Sequence, residues 1–218
     1  MTSCPYADSL VVIDFETTGL SPELGDRPIE IGAVRLDGGD VISKFQCLMN
    51  PGVRISPFIE QYTGITNSML RDAPPISAVM RSYVDFAGDS NVVAHNASFD
   101  RRFLVSELHR LGRKHRGDFA CSMLVARRVY QHSAKHTLST LAELNQLRPI
   151  GSFHRALSDA HLAAQLWVRM IRDLNETHNI GRIPFSLMQA ISRRPRKTIH
   201  RFIQKWAATN ASANVSEI

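Results

Sequence analysis

The chain has 218 residues, 44% hydrophobic and 21% charged, which is the composition of a globular protein long enough for one domain, a buried core and an extension. No apolar run approaches the roughly 18 residues that a membrane helix needs, and the start of the chain lacks a basic-then-apolar leader, so a membrane protein is excluded and a cytoplasmic one expected. The formal charge of +6 is uneven: seven of the 26 Lys and Arg but one of the 20 acids lie from Thr177 onward, leaving 19 of each sign before it.

Met1 to Ser9 reads as a lead-in. Leu10 to Ile13 is a β-branched and aliphatic run, predicted to be a buried strand that ends in Asp14-Phe15-Glu16 and closes in the turn residues Thr17-Thr18-Gly19. Ser21 to Pro28 is a polar loop. Ile29 to Leu36 and Val41 to Met49 are two further strands, joined by the hairpin signal Asp37-Gly38-Gly39-Asp40. Short helical pieces follow around Tyr62 to Thr66, then a helix over Ile76–Ala87 and a fourth strand over Asn91–His95. A helix over Ser98–Leu111, a short strand near Phe119, and helices over Ser122–Tyr130, Thr137–Leu147 and Arg155–Leu174 complete the body. A meander followed by strands alternating with helices predicts an α/β fold, a mixed sheet covered by helices.

The last stretch, 177–218, is read as a basic helical extension of the domain 1–176. Phe185, Leu187, Met188 and Ile191 form one apolar patch. Pro195 is predicted to open a helix to about Ala207, with Ile199, Phe202, Ile203 and Trp206 on one face. Packing back on the body is the first expectation for this extension. Docking a partner, or following nucleic acid, is the second. Ala207 to Ile218 is expected to fray. Cys4, Cys47 and Cys121 lie far apart without metal-site spacing, as unpaired thiols in a reduced compartment would.

Four acids stand out. Side chains alternate along a strand, so Asp14 and Glu16 share a face and repel each other. A hard divalent cation held by oxygen ligands relieves that repulsion. Taken alone, the pair also reads as an acidic surface turn. Asp100 falls in the first turn of its helix, with Ser98 as N-cap, where acids are favoured by the helix dipole. It also shares a face with Leu104, Leu108 and Leu111, which aims it at the core. Asp159 opens a largely apolar helix and needs a partner, and His154 precedes it by five residues. A His and an Asp near a helix start are more often surface residues. His161 points to another side of that helix and is read as structural.

Asp14-x-Glu16 on a strand, Asp100 after His95-Asn96-Ala97-Ser98-Phe99, and His154-x4-Asp159 together resemble the DEDDh 3′–5′ exonuclease family. Thr17-Thr18-Gly19-Leu20, Gly64-Ile65-Thr66, Ala126-Arg127-Arg128 and His136-x-Leu138 are similar to it as well, over about residues 9 to 172. The resemblance implies a ribonuclease H-like fold with a five-stranded sheet, and two Mg²⁺ or Mn²⁺ ions held by Asp14, Glu16, Asp100 and Asp159. It implies His154 as general base and nucleoside 5′-monophosphates as products. Thr17, Thr18, Gly19 and Leu20 are then expected around the terminal nucleotide, with Ile65 as an apolar wedge or as ordinary core. His95 and Asn96 are expected near sugar or phosphate. Single-stranded 3′ ends are the implied ligand, and the Glu16-Thr-Thr-Gly-Leu and His95-Asn-Ala-Ser-Phe-Asp wording favours DNA. An exoribonuclease and a non-catalytic nucleic-acid-binding subunit of a polymerase complex are the alternatives.

Overall fold

β1 (Leu10–Thr17), β2 (Pro28–Asp37) and β3 (Asp40–Leu48) form an antiparallel meander. Gly38 and Gly39 turn the chain between β2 and β3 at φ of 59° and 88°, values that a side chain would strain, and Asp37 pairs with Asp40 across the turn. Two short strands, β4 (Val92–Ala94) and β5 (Phe119–Cys121), extend the sheet in parallel, in the order β3-β2-β1-β4-β5. This is the mixed five-stranded sheet expected. The computed structural model describes residues 5–149 and 155–211, so the expectations for Cys4, for His154 and for residues 212–218 lie outside the described residues.

Nine helices are present among the described residues: α1 (Pro57–Thr63), α2 (Asn67–Arg71), α3 (Ile76–Ala87), α4 (Ser98–Arg110), α5 (Ser122–Val129), α6 (Leu138–Leu144), α7 (Ala156–His178), α8 (Phe185–Arg193) and α9 (Ile199–Ala211). β1 is buried on both faces, which is why it reads as a continuous apolar run. Val11, Ile13 and Phe15 point to a layer made with α3 and α4, through Met80, Tyr83, Phe103 and Leu104. Leu10 and Val12 point the other way, to α5, α7, α8 and α9, through Val125, Trp167, Met188 and Ile203. Trp167 is fully buried and donates its indole N–H to the Ala7 carbonyl at 2.8 Å. No helix among the described residues is long and apolar enough to cross a membrane.

Several boundaries differ from expectation, each for a local reason. β1 continues through Glu16 to Thr17 because β2 pairs with it that far. β4 is shorter than Asn91–His95, since β5 pairs only over Val92 to Ala94. α6 stops at Leu144 rather than Leu147, where Asn145 caps it and Gln146 adopts a positive φ. α7 runs past Leu174 to His178 and ends at Asn179, which takes the left-handed conformation at its C-cap. Residue 176, the expected domain limit, therefore lies inside a helix. Pro195 precedes a 3₁₀ turn over Arg196–Thr198, and α9 begins only at Ile199 and reaches Ala211. The apolar faces of α8 and α9 are covered: Phe185, Leu187, Met188, Ile191, Ile199 and Ile203 all sit in the core beside α7.

Candidate active site

Asp14 and Glu16 are the last members of the β1 row that includes Leu10 and Val12, so they face α7. The strand pairing places Asp14 opposite Gly32 and Glu16 opposite Glu30. After Glu16 the register shifts, with Thr17 opposite Pro28, and this bulge turns the end of β1 beside the carboxylates. α7 enters directly over Gly32. A Cβ there would overlap the backbone of Ala156 and Leu157, so glycine is what lets the first turn of α7 lie against the sheet. That turn brings Asp159 down onto the β1 pair. Oxygens of Asp14, Glu16 and Asp159 all lie within 4.8 Å of one another.

Asp100 arrives from the opposite layer. β4 ends at Ala94, so the edge of β1 beyond Ile13 has no strand partner on that side. Asp100 Oδ1 takes the freed Phe15 N–H at 3.1 Å, and its side chain is buried. The expected inward aim of Asp100 is thus realised at the carboxyl ends of two parallel strands, where open α/β sheets place ligands. Ser98 does not cap α4. It is the first helical residue, and its hydroxyl reaches Asn96 Oδ1 at 3.4 Å.

The electrostatics follow from the crowding. Burial and then the charges of Asp100, Glu16, Asp159 and Glu30 hold the Asp14 carboxyl well above the ordinary range. Glu16 is pushed up to about 8, first by burial and then by Asp159, Glu30 and Asp100, with Arg155 pulling the other way. Burial raises Asp100 to about 7 despite the opposing Phe15 hydrogen bond. Without a cation the cluster therefore keeps protons near neutral pH. The donors are all carboxylate oxygens, the set a hard divalent cation prefers, so the residues fit such a group.

Glu30 was not singled out in the sequence, yet it organises the site from behind. It is fully buried and accepts from Arg155 Nη2 at 2.8 Å, Gln46 Nε2 at 2.8 Å and the Ala156 N–H at 3.1 Å. The guanidinium neutralises Glu30 and fixes the start of α7, and with it Asp159. Arg155 is next in sequence to His154.

One wall of the carboxylate pocket is the Thr17 to Leu20 turn. Thr17 Oγ1 donates to the Gly19 carbonyl at 2.6 Å, and Thr18 Oγ1 donates to Asp26 Oδ1 at 3.2 Å. Gly19 has no Cβ because the Asp26 carboxylate lies where one would stand. Leu20 is exposed on the rim. The opposite wall is α1, with Phe58 and Tyr62 70% and 51% exposed and their rings stacked at 5.9 Å and 13°.

The structure bears on two of the expected substrate contacts, Ile65 and His95. Ile65 is fully buried in a small cluster with Ile29, Ile55 and Leu70, which is ordinary core packing, the second of its two expected roles. His95 uses both ring nitrogens internally, with Ser122 Oγ at 2.9 Å and the His136 carbonyl at 3.0 Å, which leaves neither for a ligand. Asn96, by contrast, is exposed, with a φ of 70°. The exposed apolar surface beside the acids comes instead from Phe58 and Tyr62. Their only trace in the sequence is an aromatic pair at i, i+4 behind the helix start Ser56-Pro57.

The exonuclease family model (RNase_T) matches residues 11–167 of the chain. DNA polymerase III subunit epsilon of Aquifex aeolicus is 36% identical over 175 residues, covering 79% of this chain and 85% of that protein. The PolC-type DNA polymerase III of Caldanaerobacter subterraneus is 38% identical over 166 residues, which is 76% of this chain but 12% of that protein's length. The chain thus spans a small part of its PolC-type relatives. Among solved structures, exonuclease X in complex with 5′-overhanging duplex DNA matches with a TM-score of 0.66 and 30% identity, over 84% of this chain and 99% of that one.

Proposed function

This chain belongs to the RNase_T exonuclease family, and we propose that it is a metal-dependent 3′–5′ exonuclease that removes nucleoside 5′-monophosphates from single-stranded ends, DNA in preference to RNA. The observation that carries this reading is the meeting of Asp14, Glu16 and Asp159 within 4.8 Å, with buried Asp100 beside them. Two Mg²⁺ or Mn²⁺ ions, held by these four carboxylates, would neutralise phosphate oxygens and acidify water. His154 is the proposed general base, a role that rests on the family resemblance, with the Arg155–Glu30 ion pair anchoring the residue after it. The Thr17 to Leu20 turn, which lines the carboxylate pocket, and exposed Asn96 are the proposed contacts to the sugar and phosphate of the last nucleotide. The lean to DNA rests on the epsilon-subunit and exonuclease X relatives, and a replicative polymerase is the proposed partner on the same ground. The buried faces of α8 and α9 are not available for that contact. A cytoplasmic setting suits Cys47 and Cys121, which are free thiols.

A 5′-labelled single strand should shorten stepwise with Mg²⁺ or Mn²⁺, release 5′-monophosphates, stop in chelator, and do so faster for DNA than for matched RNA. Hydrolysis that persists in chelator, or products bearing a 3′-phosphate, would overturn the proposal.

Phe58 and Tyr62 supply a stacked apolar surface at the height of the acids, where a terminal base would lie. Stacking of a base on an aromatic ring contributes about 1–3 kcal/mol, so Phe58→Ala should raise KM for a short strand by about 5- to 150-fold with little change in kcat. Ile65→Val, at the buried position, should leave KM near wild type. Equal KM values for wild type and Phe58→Ala would remove α1 from the binding surface.

A further inference from the structure

A second concave region runs along α4, away from the carboxylates. Its deeper part, about 390 Å³, is walled by Arg101 and His109 of α4, by Arg113 and Lys114 after it, and by Arg193 at the end of α8. Asp118 is the one carboxylate in this lining. Arg101 lies over the Phe119 ring at 5.3 Å, and Gln189 Nε2 donates to the Phe119 carbonyl at 3.0 Å, which joins α8 to the floor. Among the described residues, no carboxylate lies within 4.0 Å of Arg101, Arg113, Lys114 or Arg193. Cations on a merely solvated face are interspersed with acids. Here four converge on a hollow whose low-dielectric walls concentrate their field.

The hollow extends along α4 towards the active site. Arg101, Val105 and His109 also line a shallower cleft that takes in Arg102 and Glu23. Glu23 is paired with Arg102 at 3.4 Å, so it does not cancel the remaining charge. Arg102 Nη2 donates to the Leu20 carbonyl at 2.8 Å, and Leu20 belongs to the carboxylate pocket. From Asp100 to Arg110, where α4 ends, a rise of about 1.5 Å per residue gives about 15 Å, the axial length of about four phosphates in a stacked strand.

We infer that this cleft is the track for the sugar–phosphate backbone of the strand under degradation, binding the phosphates upstream of the 3′ end held at Asp14 and Glu16. The inference rests on the exonuclease reading above. Phosphate contacts of this kind hold register without reading sequence, and they make affinity depend on salt.

The test separates binding from hydrolysis. Anisotropy of a 5′-fluorescein 20-nucleotide oligothymidylate is followed in chelator against salt, for wild type and for Arg113→Glu/Lys114→Glu/Arg193→Glu. The variant should bind at least about tenfold more weakly, with the salt slope reduced by about 2, at about 0.7 for each phosphate no longer neutralised. With divalent cation present, the ratio of kcat/KM for the 20-mer to that for a dinucleotide should fall at least about tenfold, through KM. The milder Arg113→Gln/Lys114→Gln should shift slope and ratio in the same direction by a smaller amount, which guards against a misfolded triple variant. An unchanged slope in both variants, or an unchanged ratio, overturns the track. Wild-type protein that binds the 20-mer with a steep salt slope but hydrolyses nothing would overturn the exonuclease reading and leave the binding cleft standing.

Discussion

Asp14→Asn is expected to leave less than about one-thousandth of the wild-type kcat/KM and, in chelator at pH 8, to melt at a higher temperature than wild type. Both effects have one cause. Burial first, and then the charges of Asp100, Glu16, Asp159 and Glu30, disfavour the ionised Asp14 carboxylate. Asn keeps the shape and removes the charge. A thousandfold loss corresponds to about 4 kcal/mol at about 1.36 kcal/mol per tenfold, the scale on which an ion's neutralisation of a phosphate operates. Removing one of several crowded carboxylates relieves the metal-free fold at the same time. A residue present for packing alone would behave in the opposite way, losing stability while activity fell only in proportion to unfolded protein. Activity above one-tenth of wild type, measured as mononucleotide release, would show that Asp14 does not hold the ion.

Asp100 illustrates what the sequence can convey. Its place on the same helix face as Leu104 and Leu108 aimed it inward, and the Phe15 N–H at 3.1 Å is the partner it finds there. α3 likewise falls on its expected limits, because its apolar residues recur at helical spacing up to Gly88. What stayed hidden depends on distant parts of the chain. Glu30 is an acid within a largely apolar strand, and nothing beside it in the sequence supplies its partner. Its burial becomes tolerable only through Arg155, 125 residues away, and through the space Gly32 leaves for α7. That Phe58 stands exposed beside the acids while Ile65 packs in the core was hidden for a similar reason. A short apolar helix-turn segment has no period strong enough to say which residue meets Ile29 and which meets solvent, and the packing of α1 and α2 against β2 decides.

Metal-free protein should lose stability as pH rises from about 4 to 8, and added Mg²⁺ or Mn²⁺ should restore it most at the top of that window. The sign follows from the direction of the shifts. Glu16 moves from 4.5 to about 8 and Asp100 from 3.8 to about 7 on folding, so between those values the folded chain holds protons that the unfolded chain has released. Their favourable contribution is complete below the unfolded values and is lost as pH climbs through the folded ones. His95 acts with the opposite sign: burial lowers it from 6.5 to about 4, so that group gains stability over the lower part of the range. The informative quantity is therefore the difference in Tm with and without cation at each pH, in which the His95 contribution cancels. An ion at about 100 times its Kd contributes about 2.7 kcal/mol, or about 5–10 °C for a chain of this size. At pH 5 the ion must displace protons from Glu16 and Asp100, and the gain should shrink towards zero. Thermal melts at pH 5, 6.5 and 8 in chelator and in excess cation measure it, and a gain equal at pH 5 and pH 8 would mean that these carboxylates are not where the ion binds.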